Sequence, residues 1–143
     1  MIRAATANDW SAIERLLTEA NLPLAGASDH LGGFVVAERD GDVVACAALE
    51  RYGASALLRS VAVDASLRGT GIGERLVHQL INNAKNDGLE ALLLLTTTAS
   101  EWFPRFGFTR IARESVPAAL QESEELRGAC PSTAVVMSFN VSS

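Results

Sequence analysis

The stretch VAVDASLRGTGIGERLV, residues 61–77, decides how the rest of this chain is read. It passes from an apolar run into three glycines at every second position, Gly69, Gly71 and Gly73, and then into the apolar spacing of a helix. Glycine costs chain entropy when it is ordered, so the cluster marks a place that needs a bare backbone. A loop that feeds a helix start offers unpaired N–H groups and the positive end of the helix dipole, and both favour an anion. Arg68 adds a charged donor beside the glycines. A tight strand-to-helix turn, needing glycine only for its dihedrals, accounts for the same residues equally well. Two common phosphate loops are excluded. Gly73 is followed by Glu74 and Arg75 rather than by Lys and Ser or Thr, and GTGIGE does not space its glycines as a dinucleotide fingerprint.

Outward from this stretch the elements follow from periodicity. MIRAA starts a strand, and Trp10, Ile13, Leu16, Leu17 and Ala20 fall on one helical face closed by Pro23. FVVAERDGDVVACAALERYG is a hairpin around Asp40-Gly41, and ALLRSVAV is the next strand after a turn at Gly53. Beyond the glycines, Ile72, Leu76, Leu80, Ile81 and Ala84 form a helix stripe that Gly88 ends. EALLLLTTT is a buried type of strand, and SEWFPRF a short helix with Ser100 as its cap. FTRIAR and TAVVMSFNV are the last strands, and Pro117 opens a helix between them that Gly128 closes. The expected fold is α/β (α+β): a mixed, mostly antiparallel central sheet flanked by helices, as a single domain over residues 1–143.

The 143 residues are 48% apolar and 20% charged, which is globular composition, with 17 acidic against 12 basic side chains. Without a basic run, nucleic acid is not an expected partner. Cys46 sits in an apolar run and reads as core, while Cys130 precedes a proline in a loop; no metal-ligand spacing is present, so no metal is expected. No apolar run reaches membrane-spanning length and the first residues do not form a signal peptide, so a cytoplasmic protein is expected, with no membrane partner.

VAVDASLRGTGIGERLV resembles the acetyl-CoA signature of the GNAT superfamily of N-acetyltransferases, R/Q-x-x-G-x-G/A, with Arg68, Gly71 and Gly73 at its fixed positions. FPRFGF resembles the family's second motif. The resemblance implies acetyl-CoA as co-substrate. Amides of Gly69, Thr70, Gly71, Ile72, Gly73 and Glu74 would hold the pyrophosphate with Arg68, and the backbone of Val61, Ala62 and Val63 would pair with the pantetheine arm. Phe103 and Phe106 of the second motif would complete the cofactor site. Phe103 stands where many members place a thiolate-protonating tyrosine, and Thr96 where many place an asparagine.

Direct transfer needs a neutral amine, donors for the thioester oxygen and a stabilised leaving thiolate. Tyr52, the chain's one tyrosine, is the candidate thiolate donor, with water or unassisted departure as alternatives. Glu50, Asp29 and His30 are the candidate bases, and each also reads as an ordinary surface or loop residue. Several stretches, LLRSVAV and LLLLTTTASEWFPRFGF among them, resemble the arsenic-resistance N-acetyltransferases of the ArsN type. That implies acetylation of the α-amine of arsinothricin, a glutamate mimic, with phosphinothricin as an alternative. Strand alternation puts Arg59 on the face of Val61 and Val63, where it would bind an anionic end of the substrate, assisted by His30, Thr96 and Thr97. The competing account of Arg59 is an ion pair with Glu50. Another small-molecule or peptide amine, or a non-catalytic CoA sensor, would share every CoA residue. TAVVMSFNV, expected at a sheet edge, suggests a homodimer.

Overall fold

The computed structural model describes residues 1–129 and 133–141, so Cys130 lies outside the described residues. The elements are β1 (Ile2–Ala4), α1 (Trp10–Glu19), β2 (Phe34–Arg39), β3 (Asp42–Tyr52), β4 (Ser55–Val63), α2 (Ile72–Asn86), β5 (Ala91–Thr96), β6 (Thr109–Ile111) and β7 (Val135–Asn140). They form one sheet of order β1-β2-β3-β4-β5-β7-β6. Only the β4–β5 pair is parallel, because α2 carries the chain back between them. This is the expected mostly antiparallel sheet flanked by helices, with no helix among the described residues long and apolar enough to cross a membrane.

Local chemistry explains the elements. Asp40 and Gly41 have φ of 53° and 85°, the two left-handed residues that the tight β2–β3 turn requires. The stripe of α1 buries Ile13, Leu16 and Leu17 on the sheet face that carries Phe34, Val36, Cys46 and Ala48. The stripe of α2 buries Leu76, Val77 and Leu80 on the opposite face, against Val35, Ala47 and Leu58. Asp9 receives two bonds from the Arg3 guanidinium, at 2.8 and 3.0 Å, which tie β1 to the start of α1. Arg3 and the Thr6 backbone N–H hold the Asp9 carboxyl well below the usual carboxylate range.

Four expectations are corrected. The strand TAVVMSFNV is not an edge: β7 lies between β5 and β6, paired with β5 along its length and with β6 at Val136, Met137 and Ser138. The stretch after Pro117 is not one helix but two short turns, Ala118–Glu122 and Glu125–Ala129, separated at Ser123, whose backbone is extended (φ −64°, ψ 136°). Its hydroxyl is drawn instead to Glu50 on β3, 2.8 Å away. Ser100 does not cap the short turn Phe103–Phe106; Trp102 holds that position without a side-chain cap bond.

The fourth correction shapes the site. Ala48 pairs with Arg59 but Cys46 pairs with Ala62, so Ala47 opposes two residues, Ser60 and Val61. Ser60 takes up the extra residue with φ of 61°. One inserted residue moves every side chain beyond it to the other face. Val61 and Val63 therefore pack on the α2 face, whereas Arg59 shares the opposite face with Ala48 and not, as alternation predicts, with the two valines.

Candidate functional site

The parallel pair is short. Ser55, Ala56 and Leu57 pair with Ala91, Leu92 and Leu93, and no ladder pair joins β4 to β5 beyond them among the described residues. From there β4 stays with β3 as far as Val63, while β5 stays with β7 as far as Thr96. The two strands open as a wedge, and a groove of about 1200 Å³ fills it. One wall is β4 from Leu58 to Val63; the other is Leu94 to Ala99 with Trp102 and Phe103. The loop Leu67–Gly71 and the first turn of α2 close one end.

That end presents backbone donors to the groove. Gly71 precedes α2 with φ of 87°, a conformation only glycine adopts without strain, and open space lies where its Cβ would be. The Arg75 N–H donates to the Gly71 carbonyl at 3.2 Å, so the N–H groups of Ile72, Gly73 and Glu74 come before the first bond of the helix and are left for a ligand. Arg105 braces the opposite wall. It meets Glu74 Oε1 at 2.6 Å, donates through Nε to the Trp102 carbonyl at 2.9 Å, and lies 5.3 Å over the Trp102 ring.

Val61, Ala62, Val63, Arg68, Gly69, Thr70, Gly71, Ile72, Gly73, Glu74 and Phe103 all line the groove. Phe106 does not. It is buried in the core with its ring 5.0 Å from both His78 and Trp102, on the α2 side of the turn. Thr96 and Thr97 line the opposite wall, and Thr96 Oγ1 also accepts the Ala99 N–H at 2.9 Å, which holds the turn after β5.

The remaining candidates gather at the other end of β3 and β4, on the α1 face. Glu50 is 1% exposed. Its Oε2 accepts Arg59 Nη1 at 2.6 Å, and its Oε1 accepts the Tyr52 hydroxyl at 2.7 Å and Ser123 Oγ at 2.8 Å. His30 Nε2 stands 3.7 Å from the same carboxylate. Arg59 further donates to Ser60 Oγ at 2.9 Å, to the Ala25 carbonyl at 2.8 Å and to the Pro23 carbonyl at 2.9 Å, and lies 3.4 Å from Glu125. Each of its three nitrogens already meets a protein acceptor, as the ion-pair account of Arg59 expects. Arg59, Ser60 and Glu125 reach the groove wall; Glu50, Tyr52, His30 and Asp29 are not among its lining residues.

Electrostatics describes the surroundings of both candidate catalytic residues. Burial pushes the Glu50 carboxyl up, but the bonds from Arg59, Tyr52 and Ser123 outweigh it and hold the pKa below its ordinary value. Glu50 is thus a buried anion held by three hydrogen bonds. Burial and the adjacent Glu50 push the Tyr52 hydroxyl up to about 12, and its proton is directed at Glu50, not at a leaving thiolate. Tyr52→Phe should therefore cost about 1–2 kcal/mol of stability in urea unfolding and leave turnover within about twofold. A large fall in kcat at unchanged stability would restore Tyr52 to the chemistry.

Sequence reasoning did not assign Trp102, Arg105, Ser60, Ser123 or Glu125 to a site. Trp102 precedes the aromatic pair and Arg105 lies inside it, so both were legible from it. Ser123 was not, because 73 residues separate it from Glu50 and only folding joins them.

Residues 30–110 match the family described as acetyltransferase (GNAT) domain. An amino-acid acetyltransferase of Yersinia pseudotuberculosis is 32% identical over 130 residues, covering 85% of this chain and 30% of its own length. One from Pseudomonas fluorescens is 38% identical over 88 residues, covering 60% of this chain and 20% of its own. The chain thus spans less than a third of these curated relatives. Among solved structures, N-acetylglutamate synthase from Neisseria gonorrhoeae, complexed with coenzyme A and N-acetyl-glutamate, superposes with a TM-score of 0.85 at 25% identity, over 99% of this chain and 35% of that one. Rv2747 from Mycobacterium tuberculosis, in complex with CoA and NLQ, superposes with a TM-score of 0.81 at 26% identity, over 98% of both chains.

Proposed function

Because this chain belongs to the acetyltransferase (GNAT) domain family, we propose that it transfers the acetyl group of acetyl-CoA to the α-amine of a glutamate-like amino acid. The observation that carries the proposal is the wedge between β4 and β5, which runs from the unpaired amides of α2 to the bulge at Ser60. In this proposal the amides of Ile72, Gly73 and Glu74, with Arg68, hold the pyrophosphate. The β5-facing edge of β4 at Val61 and Val63 receives the extended arm as an added strand would. The amine enters at the far end of the groove, where Thr96 and Thr97 supply hydroxyls.

The chain's part in the chemistry is positioning and exclusion of water. Holding amine and thioester together lowers the barrier by removing the cost of their encounter. Phe103, buried at the wall, has no proton to give. A thiol of ordinary pKa, about 8.5, leaves readily as its anion without a dedicated acid.

A glutamate-like amine is supported by the amino-acid acetyltransferases among the relatives and by the N-acetyl-glutamate complex of the gonococcal enzyme. The likeness of LLRSVAV and its neighbours to ArsN-type enzymes supports arsinothricin, with phosphinothricin second. A thiol-release assay across arsinothricin, phosphinothricin, glutamate and neutral amines tests both levels. Turnover with the three anionic amino acids well above the neutral amines is expected, with arsinothricin the fastest. Glutamate as the fastest removes the arsenic-resistance role. Equal rates on neutral amines remove the substrate class, and acetyl-CoA binding without turnover makes the chain a sensor.

A further inference from the structure

Two carboxylates share one guanidinium at the groove wall. Arg59 Nη1 meets Glu50 Oε2 at 2.6 Å, and Arg59 Nε lies 3.4 Å from Glu125 Oε2. Glu50 is 1% exposed and Glu125 4%, so both are taken out of water, where an ionised carboxylate needs a cation beside it. The two are not equivalent. Glu50 takes the short bond from Arg59 together with the Tyr52 and Ser123 hydroxyls, and it does not line the groove. Glu125 stands farther from the guanidinium, whose Nε–H goes to Ser60 Oγ at 2.9 Å, and Glu125 does line the groove. Its backbone is anchored. The Glu125 N–H donates to Ser123 Oγ at 3.3 Å, and that hydroxyl donates to Glu50 on β3.

The groove wall beside Arg59 and Ser60 thus presents a positioned, buried carboxylate that shares its cation with Glu50. A ligand that brings a second positive charge balances the pair. We propose that Glu125 receives the ammonium group of the incoming amino acid, which makes it the residue that selects a cationic amine and orients the substrate in the groove. This rests on the acetyl-transfer function proposed above. An ammonium is a compact charge with three donors, and a single carboxylate suits it. The same carboxylate repels the anionic ends of the substrate, which leaves them the opposite wall, where Thr96, Thr97 and Thr98 stand. Attraction of one group and repulsion of the others separates an amino acid from a plain dicarboxylate.

Glutarate has both carboxylates of glutamate and no ammonium, so it isolates this contact. The measurement is calorimetric titration of the CoA-loaded protein with L-glutamate, phosphinothricin and glutarate. On the wild type the better amino acid should bind about 30-fold tighter than glutarate, the size of one charge-assisted hydrogen bond. Glu125→Gln should bring that ratio to within about threefold and leave CoA affinity unchanged. A counter-ion role alone would lower the melting temperature and leave the ratio intact. Glu125→Asp keeps the charge, withdraws it by one methylene and should give an intermediate ratio; it carries the test if Glu125→Gln does not fold. A wild-type ratio near one, or a ratio that survives in the folded variant, overturns the role of Glu125 and leaves acetyl transfer standing. A wild type that binds CoA and neither amino acid overturns both.

Discussion

Arg59→Ala should lower the melting temperature by roughly 10–15 °C, because removing one partner of a buried ion pair costs about 3–5 kcal/mol and each kcal/mol shifts a domain of this size by about 3 °C. The variant leaves the Glu50 carboxylate, 1% exposed, without the guanidinium at 2.6 Å, and strips Glu125 of a cation at 3.4 Å. It also frees the Pro23 and Ala25 carbonyls that hold the loop before β2. Loss of activity should follow loss of structure and be similar for anionic and neutral amines. A shift under about 3 °C with selective loss on anionic amino acids would return Arg59 to substrate binding. The same pair sets an acid limit. The Glu50 pKa is lowered in the folded state, so its contribution to stability is complete above the ordinary carboxyl value of 4.5 and is lost as pH falls through the folded value. Glu50→Gln should therefore be less stable than the wild type near neutrality, with a shallower acid decline in pH-dependent unfolding.

Gly71→Val should weaken CoA binding about 100-fold, the loss of two charge-assisted hydrogen bonds of about 1.5 kcal/mol each. Two effects act together at this position. A β-branched residue at φ of 87° is strained and tilts the first turn of α2, misdirecting the amides that follow it. Its side chain would also enter space that is open in the structure, beside the groove. Arg68→Ala, which touches only an exposed side chain, should cost less. Calorimetric titration with CoA checks both, and thermal unfolding separates lost binding from lost fold. Unchanged affinity in Gly71→Val removes the pyrophosphate from the start of α2.

Most elements were legible because their signals are local. A left-handed Asp-Gly pair makes a turn wherever it stands, and the stripes of α1 and α2 point to a core whatever covers them. The glycine loop was legible for the same reason: its glycines, its arginine and the helix after them are contiguous, so spacing alone carries the geometry. The helix expected after Pro117 breaks at Ser123, where the backbone is extended and the hydroxyl meets Glu50 of a distant strand. The edge expected at TAVVMSFNV failed because strand order in a sheet is set by packing, and β7 returns between β5 and β6.

The sequence by itself determined the mixed sheet, its helices, the glycine turn into α2 and the family resemblance, since periodicity, turn chemistry and motif spacing are properties of neighbouring residues. The tertiary structure alone decided where Arg59, Glu50 and Tyr52 sit and what they bond to. Alternation places Arg59 beside Val61 only if β4 is regular, and one extra residue at Ser60 turned its side chain to the other face. There the desolvation of a guanidinium and a carboxylate had to be offset by bringing them together, which drew Tyr52, Ser123 and the loop before β2 into the same buried cluster.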